Sequence, residues 1–363
     1  MAPDERWDEL ARVIADGVEV GSGSRVSVTM TAEQPLEAVH ALVTEIYRRG
    51  AIPQVLYADE RFDRAALRHA PLEVLQHTPE LEAQAMHWAD AHIALRSMLA
   101  PDPRLEQVDD QRLGALRASK GRISALRWEA TRWCIVRLPH PQWAELLGIR
   151  NEELLDEFLR GCLVDWPAAK RDWTELAEQW GRASSARILS SDTDLTLDLT
   201  GRHWIVFAGE ANLPDGELAT APVDDGVDGR IAFDRPFFFA GRRFDDLELT
   251  FEAGLLTEVS ASTGRSAAAQ LFDTDPGARR IGELGVGVNA DMKRYTGDLF
   301  FDEKLLGTVH IALGRAYPEC GGTNQSALHW DIVKDLRPGP DRPGGSFLLD
   351  GEPIIEAGRA LWI

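Results

Sequence analysis

The stretch "RVSVTMTAEQPLEAVHALVTEIYRRGAIPQVLYAD", residues 25–59, decides the fold of the first half of the chain. Its opening run, "RVSVTM", is rich in β-branched residues and predicts a short strand. Apolar residues between Leu36 and Ile46 then recur close to helical spacing, and Gly50 is placed to end that helix. The closing run, "IPQVLYAD", predicts a second strand. The pattern is a βαβ unit, which predicts a parallel sheet.

The same alternation of strands and helices continues through the first half of the chain. Further strands are predicted by "ADAHIALRSM" and "RWCIVRLP", and helices by "NEELLDEFLRGCLVDWPAAKRDWTELAEQW". The segment "GSGS" (Gly21–Ser24) precedes its strand instead of joining strand to helix, so we interpret it as a turn and not as a phosphate-binding loop. We therefore predict an α/β N-terminal domain with a parallel sheet over residues 1–190.

The pattern changes near residue 190, where alternating apolar residues, glycines and turn residues begin to dominate. The segment "LELTFEAGLLTEVSAS" predicts a hairpin that turns at Ala253 and Gly254. One helix is predicted in "DPGARRIGEL", with Asp275 as its N-cap and Pro276 in its first position. This prediction places Glu283 on a short helix. We expect a mostly β (α+β), metal-binding C-terminal domain over residues 191–363.

The composition excludes several classes of function. With 363 residues, 44% of them hydrophobic, the chain is long enough to bury a sizeable core. A formal net charge of −20 argues against binding to nucleic acid or to a membrane through a basic surface. The N-terminus does not resemble a signal peptide, no apolar run is long enough to span a bilayer, and the three cysteines form no disulfide or zinc motif. We expect a soluble, cytoplasmic protein.

The C-terminal half carries ionisable residues within apolar or turn-rich segments. In "SALHWDIVKDL", His329 and Asp331 are two positions apart, so they project from the same face of a predicted strand. A second strand, "GTVHIALG", contains His310, and the loop that follows it contains Tyr317 and Glu319. Two carboxylates lie upstream, with Glu217 expected in a turn. Imidazole and carboxylate groups are ligands for Zn, Co, Mn or Fe, which predicts a metal site but leaves one cation or two open.

At these residues the sequence resembles a known group, the aminopeptidase T and aminopeptidase S family of bacterial dinuclear metallopeptidases. The resemblance extends over essentially the whole chain, and it is strongest in "NLPDGELATAP", "LTFEAGLLTEVSA", "DTDPGARRIGELGVGVN", "GDLFFDEKLLGTVHIALGRAYPECGG" and "NQSALHWDIVKDL". The resemblance implies two divalent metal ions, with Zn or Co preferred over Mn, Mg or Fe. It also implies a homodimer. The metal ligands that it implies are Glu217, Glu283, His310, His329 and Asp331.

The implied activity is hydrolysis of the N-terminal peptide bond of short peptides by metal-activated water. Tyr317 matches the tyrosine that the family places beside the metals, and we expect it to donate a hydrogen bond to the oxyanion. Glu319 is our candidate for carrying a proton from water to the leaving amine. Two alternatives stay open: a ring-cleaving dioxygenase with one Fe(II) on His310, His329 and Asp331, and a hydrolase of small amides on the same fold.

Overall fold

The computed structural model describes residues 5–31, 35–98, 100, 108–239, 241–340 and 342–362. The chain divides into two compact units. One comprises Met1–Val164 with Gly209–Pro214, and the other comprises Asp165–Ala208 with Asp215–Ile363. The first compact unit ends at Val164 and the second begins at Asp165. The boundary between folding domains that the sequence predicts near residue 190 stays a prediction.

The described helices are α1 (Arg6–Gly17), α2 (Leu36–Arg48), α3 (Glu60–His69), α4 (Leu72–Leu75), α5 (Glu80–Trp88), α6 (Asp110–Ala130), α7 (Pro141–Leu147), α8 (Asn151–Cys162), α9 (Trp166–Trp180), α10 (Arg265–Phe272) and α11 (Leu299–Asp302). The described strands are β1 (Arg25–Met30), β2 (Ile52–Tyr57), β3 (Ala91–Ser97), β4 (Arg132–Leu138), β5 (Ser185–Leu189), β6 (Asp194–Asp198), β7 (Ile205–Phe207), β8 (Asn212–Leu213), β9 (Glu217–Thr220), β10 (Val227–Phe233), β11 (Phe237–Phe239), β12 (Arg242–Phe244), β13 (Leu247–Glu252), β14 (Leu255–Ser260), β15 (Ile281–Gly287), β16 (Thr308–Gly314), β17 (His329–Asp335), β18 (Ser346–Leu349), β19 (Glu352–Glu356) and β20 (Arg359–Ala360). Among these helices, none combines the length and the apolar composition needed to cross a bilayer.

The first unit is built on a parallel sheet, as the sequence predicted. Its strand order is β2-β1-β3-β4-β8, and every neighbouring pair is parallel. The β1-α2-β2 segment is the predicted βαβ unit, and Gly50, at φ +73°, adopts the left-handed conformation that ends α2. Val26, Val28 and Ile93 are fully buried in the centre of the sheet, which explains the β-branched composition of these strands.

The second unit is mostly antiparallel β structure, which confirms the predicted α+β class. One sheet has eight strands in the order β14-β13-β10-β6-β5-β18-β19-β20, and a second has the order β17-β16-β15-β9-β7. The predicted hairpin is formed by β13 and β14. Ala253 and Gly254 both have positive φ angles at its turn, as a two-residue hairpin loop of this type requires.

Two local predictions in this unit were wrong. Asp275 does cap a turn, since its carboxylate accepts hydrogen bonds from the backbone N–H groups of Gly277 and Ala278, but the turn is a 3₁₀ helix of four residues, Pro276–Arg279. The chain then enters β15, so Glu283 lies on a strand and not on a helix. The sequence signal marked the start of a helix correctly but said nothing of its length. Likewise Glu217, expected in a turn, is the first residue of β9.

An aromatic cluster holds β17 in place from behind. Trp330 is fully buried, and its ring lies 5.1 Å from those of Phe239 and Phe244 and 5.4 Å from that of Phe272, measured between centroids. Because side chains alternate along a strand, packing Trp330 into this cluster turns its neighbours on both sides toward the opposite face. The core therefore fixes the direction in which the polar residues of β17 point.

Candidate metal centre

The face of β17 opposite the aromatic cluster carries His329 and Asp331, with 3.4 Å between His329 Nε2 and Asp331 Oδ1. The other ring nitrogen of His329, Nδ1, lies 2.9 Å from the carbonyl oxygen of Arg315. Only a protonated Nδ1 can donate to a carbonyl, so the contact assigns the proton to Nδ1 in the neutral ring. This leaves the Nε2 lone pair directed at the carboxylates, which is the usual arrangement of a metal-binding histidine.

The neighbouring strands β16 and β15 add His310 and Glu283 to the same face. Asp331, Ala312 and Glu283 are successive cross-strand partners, so a small methyl group separates the two carboxylates. His310 Nε2 lies 3.4 Å from Glu283 Oε1, and His329 Nε2 lies 3.2 Å from Glu283 Oε2. The register of three strands therefore brings four of the five predicted ligands together.

Gly285 makes room for the ring of His310. The two residues are cross-strand partners. A Cβ atom at Gly285 would lie only 2.0 Å from both Cε1 and Nε2 of His310. The imidazole can lie across β15 only because position 285 has no side chain.

The fifth predicted ligand, Glu217, enters from β9, with its Oε2 atom 3.5 Å from His310 Nε2. Its Oε1 atom lies 2.7 Å from Nζ of Lys304, a fully buried lysine that is also 2.8 Å from Glu303 Oε1. Sequence reasoning missed both Glu303 and Lys304, because consecutive charged residues in "FFDEKLL" are typical of a solvated turn. Here Glu303 is buried beside Glu217 and His310.

The donor atoms form two overlapping groups suited to cations. Glu283, His310 and Asp331 form one group and Glu217, Glu303 and His310 the other; within each group the ligand atoms lie within 4.8 Å of one another. Donors held about 2.1 Å from one tetrahedral cation are about 3.4 Å apart, close to the measured separations. Oε2 of Glu217 is buried without a hydrogen-bond partner, and Oε2 of Glu283 faces the ring nitrogen of His329. Buried carboxylate oxygens that face imidazole nitrogens are groups of acceptor atoms, and a cation bound between them would satisfy both.

The electrostatics of the cluster favour positive charge between its members. Burial opposes protonation of His310, but the hydrogen bond to Glu283 and the charge of Glu217 outweigh it and raise the pKa of His310 to about 9. The pKa of His329 is likewise raised well above its ordinary value, because Asp331 outweighs the effect of burial. Without a cation these rings hold protons, so metals must compete with protons for the site.

Glu303 differs electrostatically from the other carboxylates. Burial raises the pKa of Glu303 well above its ordinary value; the charge of Lys304 opposes this and that of Glu217 adds to it. By contrast, the pKa of Glu283 is lowered, because hydrogen bonds from His310 and His329 outweigh its burial. A raised pKa makes the ionised carboxylate a stronger base, which suits a group that exchanges protons during catalysis.

Tyr317 lies beside the cluster, whereas Glu319 does not join it. The rings of Tyr317 and His329 meet edge to face, with centroids 5.5 Å apart. Burial and the charge of Glu283 raise the pKa of Tyr317 well above 10, so its hydroxyl keeps its proton and can donate. Glu319 is exposed on the 3₁₀ helix Pro318–Cys320. Burial raises the pKa of the Cys320 thiol to about 12, which argues against a nucleophilic role.

Comparison with known proteins gives consistent results. A family model described as "Thermophilic metalloprotease (M29)" matches residues 4–358. The chain is 29% identical to "Aminopeptidase 2" of Geobacillus stearothermophilus, over 90% of this chain and 92% of the relative. It is 28% identical to "Aminopeptidase T" of Thermus aquaticus, over 87% and 86% of the two chains.

Solved structures agree on the fold. "Wild-type AmpT from Thermus thermophilus" superposes with a TM-score of 0.81 at 28% identity, over 98% of this chain and 99% of that one. A 2,5-dihydroxypyridine dioxygenase from Pseudomonas putida KT2440 superposes with a TM-score of 0.58 at 15% identity, over 98% and 96%. The second likeness concerns the fold alone.

Proposed function

The chain belongs to the family of thermophilic metalloproteases (M29), and from this premise we propose that it is a metal-dependent aminopeptidase. It hydrolyses the N-terminal peptide bond of short peptides. The family match supports the metal dependence, and the names of the relatives support the aminopeptidase activity.

One observation carries the proposal at the level of the site. Five side chains that the sequence singles out, Glu217, Glu283, His310, His329 and Asp331, converge from four strands with their acceptor atoms facing one another. We propose that they hold two divalent cations, Zn or Co in preference to Mn, Mg or Fe. A surplus of carboxylates over a single-ion ligand set supports two cations, since each further cation needs charge balance.

The residues of the site divide the work of peptide hydrolysis. Two bound cations would lower the pKa of water and polarise the scissile carbonyl. Tyr317 donates a hydrogen bond to the carbonyl oxygen as negative charge develops on it. Glu303 accepts the proton of the attacking water and delivers it to the leaving amine nitrogen. Lys304 positions the carboxylates of Glu303 and Glu217.

Glu303 and Glu319 are competing candidates for the proton transfer. Glu303 is favoured because it is buried within the cluster, whereas Glu319 is exposed. Glu303→Gln should lower kcat by about 10²- to 10⁴-fold with the metal content kept. Glu319→Gln is the matched control and should keep full turnover. The reverse pattern would return the role to Glu319, and loss of metal from Glu303→Gln would instead make Glu303 a ligand.

The main alternative is the mononuclear Fe(II) dioxygenase with His310, His329 and Asp331 as its triad. Such a site has no need of Glu217 or Glu283, both of which lie within the cluster. A hydrolase of small amides would use the same chemistry with a different substrate pocket. It therefore stays as the second candidate.

Elemental analysis before and after reconstitution with Zn, Co or Fe(II) separates these functions. About two Zn or Co per chain, together with cleavage of leucine or alanine anilides, is the expected result. One Fe per chain with oxygen uptake and no anilide cleavage would overturn the aminopeptidase. Two metals without anilide cleavage would leave the small-amide hydrolase.

We also propose that the protein is a cytoplasmic homodimer with no nucleic-acid or membrane partner. The proposal of a dimer rests on the family resemblance. The compartment is supported by Cys134, Cys162 and Cys320, which are buried and form no disulfide. Light scattering on the protein as it elutes from a size-exclusion column should give a mass twice the chain mass of 40.2 kDa. A mass equal to that of one chain would reject the dimer.

A further inference from the structure

The first unit contains a cavity of about 440 Å³, and none of the proposed peptidase residues lines it. It opens at the carboxyl ends of β1, β2 and β3, where Thr29, Tyr57 and Leu95 line it. In the order β2-β1-β3-β4, β2 is added on one side of β1, and β3 and β4 are added on the other side. The direction of the strand order therefore reverses at β1, and β1 and β3 flank the topological switch point. Parallel sheets with helical connections bind ligands at this position. The volume lies within the range of small-molecule sites.

Arg127, on α6, lines this cavity with an uncompensated charge. It is 7% exposed, and its Nε atom is buried without a hydrogen-bond partner. Its Nη2 group donates to Ser124 Oγ at 3.0 Å, and its guanidinium lies over the ring of Trp133, 4.6 Å from the centroid. In the described part of the chain no carboxylate forms an ion pair with Arg127. A buried guanidinium without a counter-ion is costly, and an anionic ligand would remove that cost.

The other charges of the cavity do not supply the missing anion. Three acidic residues line the cavity. Asp59 pairs with Arg61 at 2.7 Å, and Asp63 and Glu82 lie 3.5 Å and 3.2 Å from Lys120 Nζ. Burial, followed by the charge of Arg96, which also lines the cavity, lowers the pKa of Arg127 to about 9. Arg127 still carries its charge at neutral pH, so the excess of positive charge persists there.

The mouth of the cavity is aromatic. Tyr57 and Phe62 line it with 53% and 60% of their surface exposed, and their rings meet edge to face with centroids 6.0 Å apart. Exposed aromatic rings beside a buried cation suit a ligand with a planar organic body and a charged group.

We propose that this cavity binds a small planar organic oxyanion, a phosphomonoester or a carboxylate, whose charged group pairs with the Arg127 guanidinium. Arginine matches both anions because its planar fork donates two parallel hydrogen bonds to either. The planar body of the ligand packs against Tyr57 and Phe62. All residues of this site belong to the first unit, and none of them is a proposed metal ligand.

The test is a thermal-shift titration of the metal-loaded full chain with three probes. AMP supplies a phosphomonoester, indole-3-acetate supplies a carboxylate, and adenosine supplies a planar body without charge. We expect AMP or indole-3-acetate to raise Tm by about 5 °C at 100 times Kd, and adenosine to have no effect. The anion that acts identifies the oxyanion, and a response to both assigns a site for either.

Variants of α6 locate the response. Arg127→Met should abolish the shift, keep anilide cleavage, and leave the ligand-free Tm unchanged or higher because an unpaired buried charge is removed. Arg127→Lys keeps the charge without the fork and should weaken the response, which preserves the test if Arg127→Met fails to fold. Arg122→Met, on the same helix, should respond as wild type does. No response of wild type to either anion, or an undiminished response of both Arg127 variants, would overturn the proposal.

Discussion

Replacing Gly285 by alanine should disable the proposed metal centre although no ligand residue is changed. The new Cβ would lie 2.0 Å from Cε1 and Nε2 of His310. Carbon atoms in favourable contact are about 3.5 Å apart, so the imidazole must move by about 1.5 Å. Metal–ligand distances tolerate only about 0.2 Å. The displacement is therefore several times larger than ligation by His310 allows.

The expected result is loss of bound metal together with loss of turnover. A misplacement of this size in a catalytic group costs about 10²-fold in rate, and here it removes a donor that both candidate ligand groups share. The assays are elemental analysis after reconstitution with Zn or Co, and anilide cleavage at saturating metal. Circular dichroism should retain the wild-type spectrum, because the substitution lies at the site and both strands remain paired.

Gly121→Ala is the matched control, since the same substitution is made where nothing lies within 4 Å of the added methyl group. It should keep wild-type activity and gain about 0.5–1 kcal/mol of stability in α6. If Gly285→Ala were to bind metal and cleave anilides as wild type does, the reasoning that position 285 must lack a side chain would be refuted.

Three further predictions concern stability. Removal of metal by a chelator should lower Tm by several degrees, because each buried carboxylate oxygen left without a partner costs about 1–3 kcal/mol. Addition of Zn or Co should restore the original Tm. An unchanged Tm in protein shown to be metal-free would contradict this prediction. Trp330→Ala should cost about 3–5 kcal/mol in urea unfolding, and Trp330→Phe much less, since the phenyl ring retains most of the packing and removes a buried N–H that has no partner. Burial and two nearby arginines lower the pKa of His92 to about 3, whereas the pKa of histidine in the unfolded chain is about 6.5. The contribution of His92 to the free energy of unfolding is therefore complete above pH 6.5 and is lost as the pH falls toward 3. Between pH 7 and pH 4, wild type should therefore lose about 3 kcal/mol more than His92→Gln, and equal losses in urea unfolding would reject this origin.

The parts of the fold that could be predicted are those where local pattern and tertiary burial agree. The β1-α2-β2 unit is such a case, because Val26 and Val28 are both strand-forming and fully buried. The hairpin at Ala253 and Gly254 is another, since its turn chemistry is local. One of the two wrong predictions arose where a local signal was real but short: Asp275 caps a turn of only four residues.

The candidate site was predicted unevenly for the same reason. Alternation along one strand is a local property, so the shared face of His329 and Asp331 could be read from the sequence. Whether β15 and β16 bring Glu283 and His310 to that face depends on strand register. These two residues are 27 positions apart in the sequence, so no local pattern fixes their register. The residue types alone predicted a metal site in this half of the chain, and the family resemblance then named these four side chains as its ligands.

The missed residues show what kind of information the sequence lacks. Glu303 and Lys304 belong to the site because they are buried, yet adjacent charges indicate a solvated turn unless a partner is known. Lys304 has that partner in Glu217, which lies 87 positions earlier and reaches it only through the fold. Gly285 is harder still, because what it contributes is space. In the sequence, a glycine lowers the strand propensity of the segment around it. The structure explains the glycine at position 285, because the ring of His310 occupies the space that a side chain would need.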